Sequence, residues 1–119
     1  MVEKRRFHRV GLAAKSVLTL NDTPKEGVLE NISLNGALVR FKGSVLVAPG
    51  TRCVLAVYLD GEDAPLLFIV EVVHCGFAMV GVKFTDMDAG TKGRLQRLMK
   101  MITPEPEKLR KELKLFVEG

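Results

Sequence analysis

Asn35-Gly36 sits between two apolar runs, Gly27–Ile32 and Ala37–Phe41, and commits this part of the chain to a β-hairpin. Asn-Gly between strand-like runs is the strongest short-range hairpin cue a sequence offers. The same punctuation recurs along most of the chain. Ala14–Leu20 alternates among strand formers and ends at Asn21-Asp22-Thr23-Pro24, a turn signal. Pro49-Gly50 opens a longer strand, Arg52–Leu59. It places Cys53, Leu55, Val57 and Leu59 on one face and Val54, Ala56 and Tyr58 on the other. Asp60-Gly61-Glu62-Asp63 closes that strand, and Leu66–His74 and Met79–Phe84 form a last hairpin around Cys75-Gly76-Phe77. Six strands joined by short turns, with no helix between them, predict an antiparallel barrel or sandwich.

The C-terminus changes period. From Asp88 to Ile102, the apolar residues Leu95, Leu98, Met99 and Ile102 recur at helical spacing. Asp86 or Asp88 is placed to cap this helix, and Thr103-Pro104 ends it. A second helix is expected over Glu105–Val117, with Leu109, Leu113, Phe116 and Val117 on one stripe. Its acids come early and its lysines later, which suits the helix dipole. Both stripes read as packing surfaces that cover a mouth or a face of the β structure.

With 119 residues the chain is expected to form one domain, and 47% hydrophobic residues supply its core. No apolar run reaches the roughly 18 residues that span a bilayer. The basic N-terminus is not followed by a signal-type apolar stretch, because Lys15 and Asn21-Asp22 interrupt it. A cytoplasmic protein is the expectation. Cys53 and Cys75 lie inside apolar runs and read as small buried hydrophobes. With two His, two Cys and no Cys-x-x-Cys or His-x-x-x-His spacing, neither His74-Cys75 nor any other group predicts a metal site. No nucleophile–base–orienter set and no Gly-rich phosphate loop of Walker or Rossmann spacing points to an enzyme, and no cofactor is expected.

Charge is concentrated at one end. The protein carries a net charge of +4, and residues 1–15 hold five cations (Lys4, Arg5, Arg6, Arg9, Lys15) against one anion, Glu3. From residue 16 onward, 13 cations face 13 anions. A cluster of Arg attracts anions and grips phosphate or a guanine edge through paired N–H donors.

Within the cluster, Arg5 and Arg9 stand at Arg-x-x-x-Arg spacing, and Asn31-Ile32-Ser33-Leu34-Asn35-Gly36 fits Asp/Asn-x-Ser-x-x-Gly. Together these resemble the two signature motifs of the PilZ domain. Gly81-Val82-Lys83-Phe84, followed by an acidic turn and a Leu-rich helix, is similar to that family too, so that the likeness spans about residues 5–102. The resemblance implies a six-stranded antiparallel β-barrel with C-terminal helices, and a bacterial receptor for cyclic di-GMP. It implies a flexible basic arm over residues 1–12, a barrel over 13–86 and helices over 87–118. Arg5 and Arg9 would wrap over the ligand, with Arg6 reinforcing them, while Asn31, Ser33 and Gly36 would hold base and phosphate from the barrel surface. Asn31 stands where many relatives have Asp. Relatives with further cations beside the Arg pair hold two stacked ligands, and Lys4 is where that effect would arise.

The residue chemistry fits. Guanine N7 and O6 are paired acceptors for an Arg fork, a contact worth about 1–3 kcal/mol in nucleic-acid complexes. Ser33 offers a hydroxyl, and Asn31 offers a donor and an acceptor. Gly36 allows a positive φ and a close approach to the backbone. Phe7 is expected to anchor the arm on the barrel and His8 to face solvent, while His74 lies at a strand end near the ligand face. An adaptor that acts by protein contact without binding nucleotide is the alternative. A nucleic-acid-binding barrel is disfavoured, since one Tyr and no Trp leave few stacking platforms. Binding is expected to fix the arm and to change a surface that a downstream protein reads.

Overall fold

The turn signals fold the chain into six strands and two helices in a computed structural model that describes residues 7–118. In chain order these are β1 (Val10–Leu20), β2 (Thr23–Ile32), β3 (Gly36–Arg40), β4 (Arg52–Tyr58), β5 (Leu66–Gly76), β6 (Met79–Asp86), α1 (Ala89–Ile102) and α2 (Pro106–Glu118). All pairings are antiparallel, and the order β1-β2-β3-β6-β5-β4 closes on itself through β1 and β4. Of the two architectures that the periodicity allows, the barrel is the one formed. Strand alternation sets the core: Cys53, Leu55 and Val57 of β4 and Leu66, Phe68, Val70 and Val72 of β5 point inward and are buried. Phe68 stacks on Phe84 at 3.9 Å between ring centroids.

β1 begins at Val10, so residues 10–12, expected in the arm, are strand. Phe7 and Val10 are buried in the core, as an anchoring role for Phe7 requires. No helix among the described residues is long and apolar enough to cross a membrane.

Two hairpins use tight two-residue loops. Asn21 and Asp22 (φ 49° and 65°) join β1 to β2, and Phe77 and Ala78 (φ 53° and 65°) join β5 to β6. Positive φ at both central residues gives the twist that matches the flanking strands. Asn and Asp accept this conformation readily, whereas Phe and Ala do so under strain.

The Asn35-Gly36 hairpin forms by another route. The Ser33 N–H donates to the Gly36 carbonyl at 2.9 Å, so that Leu34 and Asn35 are the central residues of the loop. Neither Asn35 nor Gly36 has a positive φ. Glycine is required at position 36 for a different reason: a Cβ there would lie 2.5 Å from the Val82 carbonyl oxygen. The close approach of β3 to β6 excludes a side chain.

α1 packs on β5 and β1 through Leu95, Leu98 and Met99. Asp88 is its N-cap, accepting the Thr91 N–H at 2.7 Å. Arg94 ties the helix to the β4–β5 loop, donating to the Pro65 and Ala64 carbonyls at 3.2 and 2.6 Å and pairing with Glu62. Pro106 opens α2, where its missing N–H is no loss. The charge balance beyond residue 15 is not uniform. Residues 16–88 hold five cations and nine anions, and residues 89–118 hold eight cations and four anions. An acidic barrel thus lies beside basic helices.

Gly36→Ala should lower stability by about 1–3 kcal/mol, because β3 and β6 must separate to admit the methyl group. Urea unfolding measures this as a lower midpoint. Hydrogen bonds from Thr91 to Asp88 hold its carboxyl below the usual value. The cap therefore contributes above the unfolded-state pKa, and that contribution is lost as pH falls through the folded-state pKa. Asp88→Ala should accordingly lower the melting temperature at neutral pH, and the difference from wild type should vanish in strong acid.

Candidate functional site

Cross-strand pairing lines up one row of residues across the outer wall of the barrel. Gly11 pairs with Asn31, Asn31 with Leu38, Leu38 with Gly81 and Gly81 with His74. Directly paired residues share a face, so β1, β2, β3, β6 and β5 each place one residue in this row. Three of the barrel's four register shifts border it: Gly11/Ala14, Leu29/Asn31 and Val72/His74. Bulges re-aim side chains and gather beside functional sites. Here they bend the wall where the row crosses it.

Leu38, Gly81 and His74 of this row line a crevice of about 540 Å³ with Arg9, Val73, Gly76, Phe77 and Met79, while Gly11 and Asn31 continue the row beyond its lining. That size lies within the usual range of ligand pockets, about 300–1,000 Å³. Gly81 keeps the floor low. A Cβ there would stand 3.5 Å from the His74 Cβ and 3.8 Å from Leu38 Cδ1, within the crevice. At one end His74 is exposed, and Phe77 is fully exposed on its strained turn. Strained backbone of this kind gathers at functional sites. A second crevice of about 340 Å³ lies between Phe7, Leu34, Asn35 and α2; it does not include Arg9, and Asn31 lines neither crevice.

Asn31 is half-buried beside Leu38, and its buried Oδ1 accepts no hydrogen bond among the described residues. A buried acceptor left unsatisfied costs about 1–3 kcal/mol. Such an atom is expected where a ligand donor completes the bond. Ser33 is only 1% exposed, and its hydroxyl is used locally. It donates to Asn35 Oδ1 at 2.8 Å and accepts from the Asn35 N–H at 3.2 Å. The Asn35 carbonyl in turn accepts the Phe84 N–H at 2.8 Å, fastening the loop to β6. Ser33 and Gly36 therefore shape the loop that follows Asn31, and Gly36 lies against the β6 backbone.

Arg9 is exposed at the crevice wall, one residue before β1. Lys4, Arg5 and Arg6 lie outside the described residues. Of the expected site residues, Arg9 lines the crevice, Asn31 is the cross-strand partner of its floor residue Leu38, and Ser33 and Gly36 lie in the adjoining loop. His8 differs from expectation. It is buried rather than solvent-facing, because Glu112 of α2 accepts both its main-chain N–H and its ring. Cys53 is buried, and desolvation raises its thiol pKa. Cys75 is half-buried, its Sγ donating to the Val45 carbonyl at 2.9 Å.

Leu38, Gly81 and Phe77 escaped the sequence reading. Gly81 carried a usable signal, since a glycine inside a Val-rich strand marks a close approach of backbone or ligand. Leu38 looked like any strand residue, and Phe77 like any turn residue. The crevice offers an apolar floor, imidazole and phenyl groups at one end and a guanidinium at its wall, and an unsatisfied acceptor lies on the strand residue paired with its floor. It suits a planar, anionic ligand that donates hydrogen bonds.

Comparison with known proteins agrees with this architecture. The PilZ domain family matches residues 3–101. The PilZ domain of YcgR from Escherichia coli, solved with c-di-GMP, superposes with a TM-score of 0.69 at 17% identity, covering 92% of this chain and 97% of that one. The PilZ domain of CeSA from a cellulose-synthesizing bacterium has a TM-score of 0.62 at 22% identity, covering 76% and 93%. The Bacillus subtilis inhibitor of motility, MotI/DgrA, has a TM-score of 0.69 at 14% identity over 82% of this chain. The match spans about half of MotI/DgrA, 49% of its length. With the motif pair, the closed six-stranded barrel and a family match over most of its length, this chain belongs to the PilZ domain family.

Proposed function

We propose that this protein is a receptor for cyclic di-GMP that binds in the Asn31–Leu38–Gly81–His74 trough and signals to a partner protein. The observation that carries the reading is the unsatisfied Asn31 Oδ1 on the residue paired with Leu38, whose crevice has Arg9 at its wall. The YcgR PilZ domain with c-di-GMP, which shares the fold, supports it.

Each residue has a role that its chemistry suits. Asn31 Oδ1 accepts a guanine N–H, which satisfies the buried oxygen. Leu38 and the bare backbone of Gly81 form the floor under the base, and His74 and Phe77 bound it. The Arg9 fork takes a phosphate or the N7/O6 edge of guanine. Ser33 and Gly36 act through the loop, holding Asn31 and the start of β3 in place. Lys4, Arg5 and Arg6 supply further cations as the arm closes over the ligand, and Lys4 decides whether a second, stacked ligand is held. Binding neutralises the mutual repulsion of these cations, and the altered surface beside the arm and the helices is what the downstream protein reads. In this reading the trough binds and performs no covalent chemistry.

Calorimetric titration with cyclic di-GMP should show saturable binding and give the stoichiometry. Ligand at about 100 times its dissociation constant should stabilise the protein by roughly 2.7 kcal/mol. An unmoved melting temperature would favour the adaptor that does not bind nucleotide. Arg9→Ala should weaken binding by about tenfold or more, the loss of one charge-assisted fork. Gly81→Val tests the trough itself. Gly81 does not have a positive φ and a Cβ meets only ordinary contacts, so the barrel should fold, but the side chain fills the floor. Affinity should fall by at least about tenfold with a nearly unchanged melting temperature. Wild-type affinity in Gly81→Val would move the ligand elsewhere.

A further inference from the structure

His8, one residue before the Arg9 of the crevice wall, is bound to the far end of the chain. Its main-chain N–H donates to Glu112 Oε2 at 2.9 Å, and its Nδ1 lies 2.8 and 2.9 Å from Glu112 Oε1 and Oε2. Its Nε2 lies 2.7 Å from Thr103 Oγ1, between the two helices. His8 and Glu112 are 7% and 4% exposed, and 104 residues separate them in sequence. With the proton on Nδ1, every group here has a partner. Glu112 takes both His8 N–H groups, while the Thr103 hydroxyl accepts the Glu105 N–H at 3.0 Å and donates to Nε2. Neither residue belongs to the trough.

We infer that this clip couples the ligand site to α2, with His8 and Glu112 as positioning residues for Arg9. The inference rests on the cyclic di-GMP reading. Burial alternates through His8, Arg9 and Val10: inward, outward, inward. Seating His8 on Glu112 therefore fixes the backbone from which Arg9 turns out to the crevice. The same clip holds α2. Apart from it, α2 is seated by buried Leu109, by half-buried Leu113 and Phe116, and by Lys92, whose Nζ lies 4.9 Å from the Phe116 ring centroid. The seat of α2 and the direction of Arg9 thus share one set of hydrogen bonds. Linkage makes the effect reciprocal: if a seated α2 strengthens ligand binding by some factor, bound ligand tightens the seat of α2 by that factor.

The test titrates cyclic di-GMP into wild type, His8→Ala, Glu112→Ala and the double variant. It also follows amide hydrogen exchange across α2 with and without ligand. Each single variant should bind about tenfold more weakly, within the usual span of coupling between sites. The double variant should be no weaker than the singles, since either change breaks the same clip. Ligand should slow exchange in α2 of the wild type and leave it unmoved in the variants, a response that a merely stabilising contact would not give. Should Glu112→Ala fail to fold, Glu112→Gln keeps one acceptor for the His8 main-chain N–H and should lose less affinity. Wild-type affinity in the variants, or α2 exchange in wild type indifferent to saturating ligand, overturns the coupling alone. No binding by the wild type overturns the cyclic di-GMP reading and this coupling with it.

Discussion

The approach of β3 to β6 is the contact on which the rest of the structure depends. β3 is only five residues long, yet it bridges the β1–β2 hairpin to the β5–β6 hairpin and so closes the barrel. It comes so near β6 that the Val82 carbonyl occupies the place of a side chain at residue 36. The loop before β3 is held by Ser33 and fastened to β6 through the Asn35 carbonyl. Without that fastening, Asn31 and Leu38 would have no fixed register against Gly81 and His74. Barrel closure and construction of the trough are one event, and residues of the Asn31–Gly36 segment serve both.

This dual use explains what the sequence made legible and what it did not. The six strands and both helices were readable, because turn chemistry and period are local properties. The hairpin at Asn35-Gly36 was found for a partly mistaken reason, since close strand packing and not a positive φ demands the glycine there. Ser33 read as a free donor, yet its hydroxyl bonds its neighbour Asn35. His8 read as exposed because it lies in a run of cations, and nothing near it in sequence signals a buried partner. Its partner, Glu112, lies mid-helix beside Lys111 and carries no local sign of burial. A pair separated by 104 residues is visible only once the barrel brings the chain ends together.

Charge shows the same limit. Counted along the chain, the residues beyond the arm are neutral, which suggests a bland surface. Counted by element, nine anions against five cations lie over residues 16–88, and eight cations against four anions lie over residues 89–118. The helices therefore add positive potential on the barrel face where α1 packs. Lys92 lies over the Phe116 ring and Arg94 is held by Glu62, Ala64 and Pro65, so two of the four cations of α1 already have partners in the fold.

Arg9 of the trough is the neighbour of His8, which is bonded to α2. Asn31, Leu38, Gly81 and His74 are set by the barrel, whose hydrogen bonds close around it and leave little freedom. Arg9 precedes β1, and its backbone is positioned by His8. Much of the site is therefore rigid, and the backbone beside Arg9 is held by the contact of His8 with α2. A second messenger acts only by a difference in affinity between two states, and that difference must reside in a part of the site able to change. In the proposed reading, the barrel row recognises cyclic di-GMP, while Arg9, beside the clip, supplies the difference that a partner protein reads.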